Sequence, residues 1–288
     1  MSDVATAAAR IDTTPVDRRA AAAIELAEAR AWADLYAAAP AGWAAAAGVS
    51  SRWVGGALVI TWAATGRRYF SRTIGLGVAE PATEAALDEV LAGFERAGIT
   101  MFLLKSLPHC EPEHYERWLR ERGLEPFDVQ DRIVRDGRPF VATGRRTDRE
   151  LTVEHVDAAT ADEWAEFLQR VYRLDTGPWL PTLVDRPGWY QYVVREEDRV
   201  VGARGMYIGT DGTAWLGMDG PVPGLMTDDY ELDAALCTHM VEDGLARGAT
   251  SFVTDIEVAA KAMDTPAYTY FAQLGFSLPY SRTHYARL

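Results

Sequence analysis

The chain is poor in the residues that would make several functional classes easy to recognise. Its 288 residues include only two cysteines, Cys110 and Cys237, too few for a disulfide framework or a cysteine zinc site. Both are expected to be small buried apolar groups. No stretch approaches the roughly 18 consecutive apolar residues of a membrane span. The first residues lack the charged start and apolar core of a secretory leader, so a cytoplasmic location is expected. Basic residues are in the minority, 29 against 42 acidic, a net charge of −13. Nucleic acid and anionic membrane surfaces would be repelled by that balance. The five histidines are scattered, and no HExxH, CxxC, Walker loop or Ser-His-Asp order occurs, so no metal is expected.

What is present is ordinary globular composition, 48% apolar and 25% charged, at a length that suits two domains. The most informative stretch runs from Trp215 to Glu257. Trp215, Leu216 and Met218 form a short apolar run that ends in Gly220, Pro221, Pro223 and Gly224. Ala234, Leu236, Met240, Val241 and Leu245 then recur at helical spacing up to Gly248, and Phe252 and Val253 begin another apolar run. This order predicts two parallel strands joined by a right-handed helical crossover. The loop before such a helix usually presents N–H groups to an anion, yet here it carries Asp228, Asp229, Glu231 and Asp233.

The remaining expectations follow the chain. An alanine-rich helix is predicted from Pro15 to about Ala38, capped by Thr14 and ended by Pro40 and Gly42. Residues 53–62 and 68–77 are strand candidates joined by a turn at Thr65-Gly66. Helices at 81–97 and 113–121 alternate with strands at 99–105 and 127–134. The second half replays the order with a strand at 151–156, a helix at 161–172, a hairpin at 190–195 and 199–208, the crossover unit, a short helix at 266–274 and a last strand at 276–285. AALDEVLAGFERAGIT from Ala85 lies against AALCTHMVEDGLARGAT from Ala234, and WLRERGLEP from Trp118 against YFAQLGFSLP from Tyr270. Both offsets are about 150 residues, which argues for one fold used twice. The seam is expected in TGRRTDRE, Thr143 to Glu150, giving domains of 1–146 and 147–288.

A hairpin, strand, long helix, strand, short helix ending in Leu-Gly-Phe and a final strand resembles the GNAT superfamily of N-acetyltransferases. PGWYQYVVREEDRVVGARGMYIGTDGTAWLGMDG resembles its central hairpin and fourth strand, and TPAYTYFAQLGFSLPYSRTHYARL its last helix and closing strand. IGLGVAEPATEAALDEV resembles the first domain of tandem GNAT proteins such as the mycothiol synthases. The resemblance implies an α/β fold with mixed sheets in two tandem GNAT-like domains. It further implies acyl transfer from acetyl-CoA or another acyl-CoA to a small amine or amino-acid-like metabolite. In that family a glycine-rich loop beginning with Arg or Gln wraps the CoA pyrophosphate, a carboxylate takes the amine proton, and a tyrosine of the last helix protonates the thiolate. Here MTDDYELDA, Met226 to Ala234, fills the loop position without glycine or arginine, and EPATEA, Glu80 to Ala85, also lacks the glycines. The usual tyrosine position is Phe271, with Tyr268 and Tyr270 nearby.

Candidate catalytic residues are therefore Asp219 and Asp255, at the carboxyl ends of the two parallel strands, with Tyr268 and Tyr270. Two carboxylates across a cleft suit a cationic amine or an acid–base pair. Trp179 and Trp215 are candidate walls of the acceptor pocket, and the backbone of Met218 and Gly220 is the candidate contact for a CoA thioester. Three readings stand: an acyltransferase with an atypical donor site, a GNAT-fold enzyme that runs carboxylate and tyrosine chemistry without CoA, and a non-catalytic binder of a small cation or a partner. An amine-bearing small molecule is the expected ligand, and an oligomer is compatible with the sequence.

Overall fold

The structure is a computed structural model that describes residues 10–139, 149–257, 259, 263 and 265–288. Helix α1 (Arg18–Ala37) is the first helix among the described residues. Its cap is Asp17, whose carboxylate accepts from the Ala20 N–H at 2.8 Å. The expected cap, Thr14, instead closes a tight turn on the Asp12 side chain. The helix ends at Ala37, as expected ahead of Pro40, and a short helix α2 (Ala41–Ala47), which takes in Gly42, follows at once.

Two antiparallel strands, β1 (Val49–Val54) and β2 (Ala57–Trp62), come next. Residues 53–62, expected as one strand, are cut by Gly55 and Gly56, both at positive φ, the conformation of a two-residue hairpin turn. Thr65 and Gly66 belong to a single helical turn before β3 (Arg72–Ile74), which completes a three-stranded sheet. Helix α3 (Glu84–Arg96), strand β4 (Leu104–Ser106), helix α4 (Tyr115–Glu121) and strand β5 (Glu125–Asp136) finish the first half. The expected strand at 99–105 shrinks to β4.

The second half runs through β6 (Leu151–His155), α5 (Ala161–Tyr172), β7 (Trp189–Glu196), β8 (Arg199–Ile208), β9 (Thr213–Gly220), α6 (Tyr230–Ala246), β10 (Ser251–Ile256), α7 (Pro266–Gln273) and β11 (Ser277–Ala286). Strands β9 and β10 are parallel. The fold is mixed α/β, with an eight-stranded sheet in the order β4-β11-β5-β10-β9-β8-β7-β6.

That order crosses the halves. Strand β5 of the first half lies between β10 and β11 of the second, and β11 lies between β5 and β4 of the first. The closing strands are exchanged, so the sheet has no break between residues 1–146 and 147–288, whose expected junction falls mostly outside the described residues. Helices α1 and α5 cover one face of this sheet, over a core that includes Trp32, Leu35, Trp164, Trp179 and Trp215. Helices α6 and α7 cover the other, over Leu236, Met240, Phe252 and Phe271. Among the described residues no helix is long and apolar enough to cross a membrane.

Candidate functional site

Parallel pairing of β9 with β10 covers only Thr213–Trp215 against Ser251–Val253. Beyond it the two strands part. At the parting, β9 kinks: its register with β8 shifts between Ala203 and Gly205, and Met218 adopts a left-handed φ of 56°. A bulge of this kind re-aims the side chains that follow it. Gly217 makes room for the kink, since a Cβ there would sit 2.2 Å from the Trp215 ring.

A cavity of about 770 Å³ opens on the α1–α5 side of this parting. Its walls are largely aromatic: Trp32, Trp62, Phe70, Tyr172, Trp179 and Trp215. Edge-to-face contacts lock them together, Trp62 to Trp179 at 5.1 Å, Trp62 to Phe70 at 5.4 Å and Trp32 to Trp215 at 5.7 Å. Trp179 is 2% exposed and donates its indole N–H to the Leu35 carbonyl at 2.8 Å. The wall is thus fixed by the packing of α1.

Five carboxylates face the cavity, Glu28, Asp128, Asp219, Asp255 and Glu257, against the two arginines Arg67 and Arg72. They fall into distinct electrostatic classes. Glu28 belongs to a buried ion cluster in which Lys105 lies at 2.8 Å and Arg72 at 3.5 Å, with Arg132 and Arg282 also in contact. Burial alone would raise its pKa, but Arg282, Lys105 and Arg132 hold it well below the usual carboxylate range. Asp255 is paired with Arg282 at 2.5 Å and Arg132 at 3.3 Å. Asp128 accepts from the Tyr69 hydroxyl and from His284 Nδ1 at 2.5 Å. Burial pushes that histidine down to about 4, so it is neutral at pH 7.

Asp219 and Glu257 differ from Glu28 and Asp255, since among the described residues no cation lies within ion-pairing distance of either. Burial raises Asp219, and Asp233 and Asp255 add to the effect against the opposing charge of Arg204. Glu257 accepts a hydrogen bond from the Gln130 amide. Burial, with the charges of Asp255 and Asp219, pushes it up to about 8. A carboxyl group poised near neutrality beside two other acids suits proton transfer.

No family model and no curated protein matches the sequence. Solved structures do. A GCN5-related N-acetyltransferase from Kribbella flavida aligns with a TM-score of 0.56 and 15% identity, over 82% of this chain and 88% of that one. One from Sphaerobacter thermophilus aligns at 0.52 and 14%, over 80% and 79%. A tandem GNAT protein from the clavulanic acid biosynthesis pathway aligns at 0.51 and 14%, over 81% and 78%. The chain has the tandem GNAT fold.

Within that GNAT framework the sequence-derived candidates separate. Asp219, Asp255, Trp179, Trp215 and Met218 line the cavity, and Gly220 does not. Tyr268 and Tyr270 are not brought to it. They lie with α7 against the opposite face of the sheet, where Tyr268 donates to Asp131 at 2.5 Å and Tyr270 donates to Asp233. The phenols that do face the cavity are Tyr69 and Tyr172. Both are held protonated, chiefly by burial, and Tyr172 donates to the Asp219 carbonyl. Glu257 was legible in principle, since it stands two residues after Asp255 and alternation puts both on one side of an extended chain. Tyr69, Asp128 and Glu28 come from the first half and carry no such signal.

The CoA contacts of the family do not fit this chain. At the start of α6, where a pyrophosphate would meet bare N–H groups, Asp229 caps the helix and pairs with Arg149 at 2.6 Å. Asp233 turns inward rather than toward a ligand. It pairs with the buried Arg204, which also donates to Thr254 Oγ1 at 2.6 Å, and Thr254 Oγ1 donates to the Leu216 carbonyl at 2.9 Å. The gap between β9 and β10 is therefore occupied by the protein's own side chains on the α6 side. Both cysteine thiols are raised by burial, Cys110 to about 12, which disfavours the thiolate a nucleophile needs. Among the described residues no group of His, Cys, Asp and Glu is placed to hold a metal.

Proposed function

We propose that the chain is a GNAT-type acyltransferase-like protein whose cavity takes a small amine-bearing metabolite and whose acyl donor does not enter by the usual CoA loop. The observation that supports this reading is the pair Asp219 and Glu257, two carboxyl groups without cationic partners among the described residues, at the carboxyl ends of the splayed strands. An ammonium ion arriving there displaces the proton that Glu257 holds at pH 7 and pairs with the resulting carboxylate beside Asp219. Glu257 then takes the proton, since its raised pKa makes it a stronger base than an ordinary glutamate. The freed nitrogen attacks the carbonyl carbon of a thioester that lacks a nucleotide. The C–S bond breaks as the amide forms, and the second proton leaving the nitrogen passes through water to the thiolate. Trp179 and Trp215 position the amine from the side.

A second reading, a GNAT-fold enzyme that performs acid–base chemistry without any thioester, is favoured by one observation: Arg204, Asp233 and Thr254 fill the donor side of the gap. Transfer assays separate the two. Primary amines are incubated with acetyl-CoA or with the acetyl thioester of N-acetylcysteamine, which has no pyrophosphate, and amide is measured by mass spectrometry. Amide is expected from the short thioester and none above background from acetyl-CoA. Glu257→Gln is expected to lower the rate by about 10²-fold or more and to remove the rise in rate near pH 8. Amide from neither donor leaves the second reading standing, and efficient use of acetyl-CoA restores ordinary GNAT chemistry.

A further inference from the structure

We propose that the ligand of the cavity is a lipophilic monoamine, one ammonium group on a single alkyl or aryl body, rather than a polyamine or an anion. This rests on the reading of Asp219 and Glu257 as the amine end and adds what the rest of the cavity requires. Away from the strand ends the lining includes Leu35, Trp62, Phe70, Leu174, Trp179 and Leu180. The two remaining carboxylates of the lining are already engaged, Glu28 with Lys105 and Arg72, and Asp128 with Tyr69 and His284. A second ammonium placed against the apolar wall would leave water without a carboxylate of its own, and burying an unpaired charge is prohibitive. A hydrocarbon body placed there releases water from an apolar wall and gains.

The mouth continues the same chemistry. Phe127, Val129, Leu225 and Met226 line the cavity and are 38%, 41%, 59% and 41% exposed. They come from β5 and from the loop after β9, so the apolar lining reaches the surface on two sides. Contiguous exposed apolar groups at the rim of a cavity mark a binding site for apolar matter. The two cavity arginines do not make an anion site. Arg72 pairs with Glu28 and stacks on Trp32 at 4.2 Å, and Arg67 donates to the Arg173 carbonyl on the exposed surface.

Calorimetric titration with ethylamine, butylamine, hexylamine and octylamine tests the assignment. One site is expected, with affinity climbing about three- to fourfold per added methylene. In two buffers of different ionisation enthalpy at pH 7, binding should release about one proton, because Glu257 is mostly protonated before the amine arrives and ionised afterwards. Glu257→Gln should lose that proton release while the dependence on chain length persists. The proposal is overturned by no binding, by affinity independent of chain length, by spermidine binding as tightly as octylamine, or by octanoate doing so. No acyl donor is present in the titration, so the amine site can stand where acyl transfer fails, and transfer to short polar amines would remove this proposal alone.

Discussion

Glu257 stands one residue beyond the end of β10, where the chain is still extended enough to aim it at the same space as Asp255. Its surroundings are mixed: Asp255 and Asp219 oppose its ionisation, while Arg72 and Arg282 favour it, and burial decides the balance. The folded protein therefore keeps this proton between its ordinary value of 4.5 and about 8, a window in which the unfolded chain has given it up. The stability this group contributes is fully present below pH 4.5 and is lost as pH rises through 8. Glu257→Gln removes the ionisation. Relative to the parent, the variant is expected to gain on the order of 1–3 kcal/mol between pH 5 and pH 9. Urea titrations at the two pH values check this, and a stability difference that does not change with pH would refute it. Alternation made Glu257 readable beside Asp255. Asp128 and Tyr69 were not readable, because nothing local in β5 or in the turn after β2 says which strand ends they will face.

Helix α6 shows how an element can keep a family's position while changing its use. Its amphipathic spacing and closing glycine were legible, and so was the acidity of its first turn. What the sequence could not separate was the fate of each acid. Asp228 is exposed, Asp229 caps the helix, and Asp233 is 5% exposed and holds Arg204 in the gap between β9 and β10. Removing Asp233 should therefore not open a CoA site. Asp233→Ala leaves the Arg204 guanidinium buried without its carboxylate, and a loss of about 3–5 kcal/mol is expected, measured by denaturant unfolding. Asp228→Ala, on the exposed loop, should change stability by less than about 0.5 kcal/mol. The hairpin of β1 and β2 gives the opposite lesson. Apolar residues on both sides of Gly55-Gly56 read as one run, and only the positive φ of the two glycines divides it.

At the scale of the whole molecule, the repeat of about 150 residues was visible in paired local matches, but the exchange of β5 and β11 was not. A strand's alternation names the faces it presents, and is silent on which neighbour it will find. The exchange has an energetic counterpart in the cluster of Glu25 and Glu28 from α1, Arg132 from β5 and Arg282 from β11, all no more than 1% exposed. Arg282 is the member from the second half, and separating the halves would take it from Glu25 and Glu28. Taking 1–146 and 147–288 as the halves, we expect neither to fold alone and the two mixed to recover a cooperative transition. Near-ultraviolet circular dichroism and thermal unfolding check this, and cooperative unfolding of either isolated half would contradict it. During synthesis the exchange acts as a rule of order. Strand β11, made after every other strand described, is an interior strand, so the nascent first half waits with β4 and β5 unjoined. Pairing partners about 150 residues apart close the sheet only once β11 has emerged, and until then the exposed strand edges are what a chaperone would have to cover.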